Sequence, residues 1–111
     1  MPVYKFDALR KEYVTPKHSS AFGSLVTGEQ IELGLLSFKA GEGAKEHAHP
    51  HEQVLLVLTG RIRMEIGGET CELGPREVAH MPPNVLHSLE AIEDTEVVSA
   101  KGVIGGVGHR I

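Results

Sequence analysis

The 111-residue sequence contains a single cysteine, Cys71, so no internal disulfide can form, and the chain fits a reducing, cytoplasmic setting. Its longest apolar run is Val54 to Leu58, too short to cross a bilayer as a helix. No basic cluster interrupts a net charge of −4, which argues against nucleic acid as a partner. The opening MPVYKFDALRKEY carries charges where a secretory leader would need an apolar stretch. There is no internal repeat and no long linker. What remains is an ordinary globular composition, 41% hydrophobic and 23% charged. The length suits one domain, residues 1–111, built on one core.

Helical patterns are nearly absent too. Asp7 could cap one turn through Leu9 to Tyr13, which Pro16 would stop. Strand patterns dominate instead. Residues 3–6 could form a strand, and residues 17–28 are polar and Gly-rich. The alternating stretches predict strands at 30–39, Gln53 to Thr59, Arg61 to Ile66, Glu69 to Leu73, Glu77 to Met81, His87 to Ile92 and Thr95 to Val103. Gly67-Gly68 reads as a hairpin turn. Frequent turns between short strands indicate an all-β barrel or sandwich. Cys71 fits a small core residue. The tail GVIGGVGHRI is Gly-rich without the strand-to-helix setting of a dinucleotide loop, and His109 is expected to be exposed in it.

The most informative stretch is Gly41 to Gly60, GEGAKEHAHPHEQVLLVLTG. It holds His47, His49, His51 and Gln53 within seven residues and leads directly into the apolar run. In extended backbone His47, His49 and Gln53 share a face, and neighbours on that face lie roughly 6–7 Å apart. Imidazoles so placed can converge on one ion. A helix is excluded by Pro50 and would separate i and i+2. His87, five residues after Pro82 in GPREVAHMPPNVLHS, can join them from another strand. The bland reading is a solvated polar loop.

The order of these residues resembles the cupin superfamily. Gly41, His47, His49, Gln53 and Gly60 fit the first cupin motif (41–60), with Gln53 in the place of the usual Glu. In the second motif (76–91), Pro82 and His87 match and Asn84 replaces Gly, which it can do by adopting the left-handed conformation. Arg76 and Ala91 depart from the pattern. The resemblance implies a double-stranded β-helix, the jelly-roll barrel of RmlC-like proteins. It also implies metal ligands His47, His49, Gln53 and His87. Small single-domain cupins with a Gln ligand include proteins that convert unsaturated uronates to linear keto sugars. Their C-terminal strand carries acidic, aromatic and arginine residues for catalysis. Here VVSAKGVIGG has none of these, so those roles are not transferred.

Three imidazoles and an amide bring no negative charge. A divalent ion among Zn, Ni, Fe, Mn, Cu and Co would keep its full charge, attract an anion and retain open positions. The partner expected is therefore a small carboxylate or sugar acid. Further candidates are weak. His51 could point inward or lie exposed after Pro50. His80 could line a pocket as an acid or base, or be a packed or surface histidine. Arg61 and Arg63 could meet a substrate carboxylate or form a solvated face. His18 reads as an exposed loop residue. Two functions remain open: a small metalloenzyme of isomerase, lyase or dioxygenase type, and a non-catalytic metal- or ligand-binding module. A homodimer is expected, with an apolar strand around Val3 to Phe6 adding to the partner.

Overall fold

Ten strands and one 3-10 turn follow from this pattern in a computed structural model that describes residues 2–111. The 3-10 turn is Phe6–Ala8. The strands are β1 (Glu12–Tyr13), β2 (Phe22–Thr27), β3 (Ile31–Phe38), β4 (Gly43–His47) and β5 (Gln53–Thr59). They continue with β6 (Ile62–Ile66), β7 (Glu69–Leu73), β8 (Val78–Met81), β9 (His87–Ala91) and β10 (Thr95–Gly102). All pair antiparallel in two sheets, ordered β1-β2-β3-β10-β5-β8 and β4-β9-β6-β7. Strand β10 slots between β3 and β5, and β9 between β4 and β6, which is a jelly-roll crossover. The two sheets do not join into one hydrogen-bonded barrel, so the expected closed barrel is corrected to a two-sheet jelly roll.

Alternation places the core between the sheets. Leu36, Val97 and Val57 lie side by side across β3, β10 and β5. Ile62 pairs with Ala91 and Leu73 on the other sheet, and Met64 with Leu89. All belong to one buried cluster, with Val57, Ile62 and Val97 at 0% exposure. Side chains of this size, fully buried, contribute about 1.5–3 kcal/mol each.

Five expectations are corrected. Residues 3–6 form no strand; the chain turns at Phe6–Ala8 and meets β2 through Glu12–Tyr13 instead of a helical turn. The side chain of Ser24 fixes that path by donating to the Arg10 carbonyl at 2.9 Å. Residues 22–27, expected as part of a polar loop, are strand β2. Its Gly23 is required because a Cβ there would sit 2.0 Å from the Leu35 carbonyl oxygen. Cys71 is exposed, because β7 is a sheet edge and only Leu73 of that strand reaches the core. The tail folds back through an Ile104–Val107 bridge and buries His109.

Gly41 and Gly60 take φ of 85° and 92°. A Cβ at Gly60 would lie 2.4 Å from the Asp94 carbonyl oxygen, so the turn demands glycine. Asn84 has φ 63°, as its substitution for glycine implied. Arg76, which departs from the motif, adopts φ 69° all the same. The left-handed turn is kept where the glycine is lost.

Candidate metal centre

His47 closes β4 and His87 opens β9, and the two are register partners. His49 lies in the loop after β4, and Gln53 begins β5 on its inward-facing side, opposite Lys101 and Met81. The potential ligand atoms of His47, His49 and His87 all lie within 4.8 Å of one another. Their ring centroids are 4.6 Å (47–87), 4.9 Å (49–87) and 5.7 Å (47–49) apart.

Backbone carbonyls orient each ring. Nδ1 of His47 meets the Lys45 carbonyl at 2.6 Å, Nδ1 of His49 the His51 carbonyl at 2.8 Å, and Nδ1 of His87 the Val85 carbonyl at 3.0 Å. A carbonyl only accepts, so each Nδ1 carries the proton and each Nε2 offers a lone pair. Burial holds all three imidazoles below their ordinary pKa, and His49 down to about 4. The positive charge of Lys101 pushes each of them further the same way. The cluster is neutral at neutral pH, the state metal binding needs.

Gln53 supplies an independent test of fit. Its Oε1 lies 3.1 Å from Nε2 of His49. Two lone pairs at that distance repel unless a cation or proton lies between them. A proton on Nε2 is disfavoured, because Nδ1 is already committed and His49 is held to about 4. The donor set therefore fits a divalent transition ion.

His47, His87 and Gln53 open onto a cavity of about 50 Å³ between the sheets. Leu36, Phe38, Leu55 and Met81 form its apolar wall, and Ser99, Lys101 and His109 its polar wall. No aspartate or glutamate lines it. Lys101 is 3% exposed, and burial lowers its pKa to about 8, with the charge of Glu32 opposing. It takes no hydrogen bond or ion pair from the described residues; Glu32 acts on it only at a distance.

The sequence reading missed Glu32, Ser99, Lys101 and His109. Lys101 was detectable, since it shares inward parity with Val97 and Ser99 on β10. His109 was not, since it follows an irregular glycine-rich turn. Its placement corrects the exposed position expected: it is 3% exposed, between Glu32 and Ser99.

The remaining candidates separate clearly. His80 does not line the cavity, as Ala79 and Met81 beside it take the inward positions. Its Nε2 meets Glu52 at 2.7 Å in solvent. His51 is buried, 5.5 Å from His49 ring to ring, and neither of its nitrogens has a hydrogen-bond partner among the described residues. His18 is half-buried and stacks on His47 at 4.7 Å with planes 7° apart, which corrects its reading as a free loop residue. Arg61 and Arg63 pair with Glu72, and Arg63 also with Glu90, on the outer face.

Residues 34–100 match the Cupin domain family. An uncharacterised protein of Streptomyces coelicolor is 25% identical over 99 residues, covering 88% of this chain and 92% of its own. An RmlC-like cupin from Shewanella frigidimarina superposes with a TM-score of 0.81 at 16% identity, over 92% of this chain and 90% of that one. KdgF from Halomonas sp. superposes with a TM-score of 0.80 at 21% identity, over 92% and 93%. With more than half of its length inside that match, and with both sheets and the histidine cluster in place, the chain belongs to the cupin domain family.

Proposed function

We propose that this cupin is a metal-dependent enzyme acting on a small anionic metabolite, a carboxylate or sugar acid. His47, His49, Gln53 and His87 hold one divalent transition ion in this reading. The observation that carries it is Lys101: a buried lysine whose ammonium forms no hydrogen bond or ion pair among the described residues, on the wall of a cavity that lacks carboxylates. A buried charge costs several kcal/mol unless it is compensated. A carboxylate ligand supplies that compensation and also meets the uncancelled charge of the ion.

When bound, the ion supplies Lewis-acid polarisation and lowers the pKa of coordinated water. The chain's own residues do the rest. Lys101 grips the carboxylate by a charge-assisted hydrogen bond. With a pKa of about 8, it can also give up and retake a proton near neutral pH. The walls from Leu36, Phe38 and Leu55 exclude water. Proton transfer next to a carboxylate, as in isomerases and lyases, suits this set better than oxygen activation, since the site lacks a carboxylate ligand. A non-catalytic binding module is favoured by one feature, the cavity's small volume of about 50 Å³.

The test is metal analysis followed by ligand titration. Purified protein should hold about one divalent ion per chain, and His47→Ala, His49→Ala and His87→Ala should each strongly reduce it. Metal-loaded wild type should bind oxalate or malonate at least about tenfold more tightly than Lys101→Met, a difference of about 1.4 kcal/mol. Equal affinities would remove Lys101 from the reading. Incubation with sugar acids and keto acids, followed by NMR, separates the two functions. New product signals mark an enzyme, and saturable binding of unchanged ligand marks the module.

A further inference from the structure

We infer that Glu32, His109 and Ser99 form a hydrogen-bond relay that dictates which end of the Gln53 amide faces the three histidines. The inference rests on the metal-site reading above and adds positioning residues to it. None of the three belongs to the ligand set, and Glu32 and His109 touch none of its members.

The direction of each bond can be worked outward from Glu32. This carboxylate is 2% exposed and can only accept. Its Oε2 accepts from the Thr27 hydroxyl at 2.5 Å, and its Oε1 from the His109 backbone N–H at 2.6 Å. The same Oε1 lies 2.6 Å from Nδ1 of His109, so Nδ1 must carry a proton. The imidazole is buried, which favours its neutral form, and Nε2 is then an acceptor. Ser99 Oγ lies 2.8 Å from that Nε2 and has one proton, which it donates there. The remaining neighbour of Ser99 Oγ is the Gln53 side chain at 2.9 Å, which must present its NH2 end. Its Oε1 is thereby turned to His49. With His109 neutral, reversing the Ser99 or the Gln53 link alone would set two donors or two acceptors against each other; the one opposition left, Gln53 Oε1 against Nε2 of His49, is the one a cation relieves.

Two further contacts show that the relay is built. The Thr15 hydroxyl donates to the His109 carbonyl at 2.6 Å and anchors the returning tail. Gly108 has no room for a side chain, since a Cβ would lie 2.6 Å from Oε1 of Glu32. Residues from β3, β10 and the tail thus meet in one buried, hydrogen-bonded group. Groups of this kind that orient a metal's ligands typically change metal affinity by 10- to 100-fold.

The experiment has an arm that needs no metal. In metal-free protein, long-range proton–nitrogen NMR correlation should find His109 protonated at Nδ1 and bare at Nε2. The Gln53 side-chain amide protons should exchange slowly. The second arm is a double-mutant cycle read by chelator competition and by the cobalt(II) absorption spectrum. Ser99→Ala should lower metal affinity about tenfold in the Gln53 chain and shift the cobalt bands. In a Gln53→Glu background both ends of residue 53 are oxygen, so the same substitution should change affinity less than about twofold. His109→Phe, acting one link further out, should repeat the pattern, with thermal melts confirming that each variant is folded. Equal loss in both backgrounds, or an Nε2–H tautomer, overturns the relay while leaving the metal reading intact. A wild-type chain that takes up no metal overturns the site reading, and the coupling with it.

Discussion

At the level of single residues, burying Lys101 costs the fold stability that an apolar side chain of the same length would not. Its pKa falls from 10.5 to about 8 on folding. Between those values the unfolded chain binds more protons, so stability rises with pH there, and below about 8 the full penalty applies. At about 1.4 kcal/mol per pH unit, the difference sets an upper bound of about 3 kcal/mol. Lys101→Met should therefore stabilise the metal-free protein at pH 7 by up to that amount, measured as a raised urea midpoint with unchanged slope. A lower midpoint would mean that the ammonium is compensated. Gln53 poses the opposite question. Replacement by Glu should retain or tighten the metal, while cancelling one unit of charge beside the ligand position. Two unit charges 4 Å apart at an effective dielectric of about 20 interact by roughly 4 kcal/mol, and a third of that is about tenfold in affinity. Oxalate should thus bind the metal-loaded Gln53→Glu protein about tenfold more weakly; unchanged or tighter binding would show that the amide's neutrality is incidental.

Among the elements, the tail segment is the one that the proposed relay ties to the site through His109. Gly108→Ala would push the Glu32 carboxylate off His109, leaving buried polar groups unpaired at a cost of about 2 kcal/mol or more. Glu32 also gives the segment a pH signature. Against burial, which acts the other way, hydrogen bonds from His109 and Thr27 hold its pKa at about 2, below 4.5. A depressed carboxylate contributes stability above the unfolded value, and that stability is lost as pH falls from about 4.5 toward 2. Wild type should lose stability across that window, and Gly108→Ala should show a flatter profile there; parallel curves would contradict the account. Strands such as β6 were legible because they alternate apolar and polar residues at period two, and β5 because a short apolar run is bounded by turn residues. His47 and His49 were legible from their spacing within one extended stretch, and His87 from the second motif that the family resemblance supplied. The pairing of Glu32 with His109 was not, because two residues 77 apart leave no local pattern. Strand β2 was hidden by Gly23 and Ser24, which form strands poorly; the Leu35 carbonyl leaves no room for a side chain at Gly23, and Ser24 bonds the Arg10 carbonyl.

For the whole molecule, the outer face of the six-stranded sheet is the feature that bears on assembly. Leu33, Ala100 and Val54 lie in one row across β3, β10 and β5, and Leu35, Val98, Leu56 and Val78 in the next. Val78 is 55% exposed, Leu33 39% and Val54 38%. Contiguous apolar surface of this kind marks an association face. The expected homodimer should therefore use this sheet, and removing residues 1–6 should leave it intact. Val54→Lys or Leu33→Lys should shift it to monomer in light scattering. A wild-type monomer at high concentration would overturn the assembly. The buried tail has a consequence in time as well as in space. A ribosome adding about 5–20 residues per second takes roughly 1–4 s to pass from His87 to His109. During that interval the nascent chain has its three imidazoles but lacks the side chain that, on the proposed relay, fixes the rotation of the amide beside them. On the proposed relay, the ligand set is thus completed by a side chain that is made after all three of its histidines.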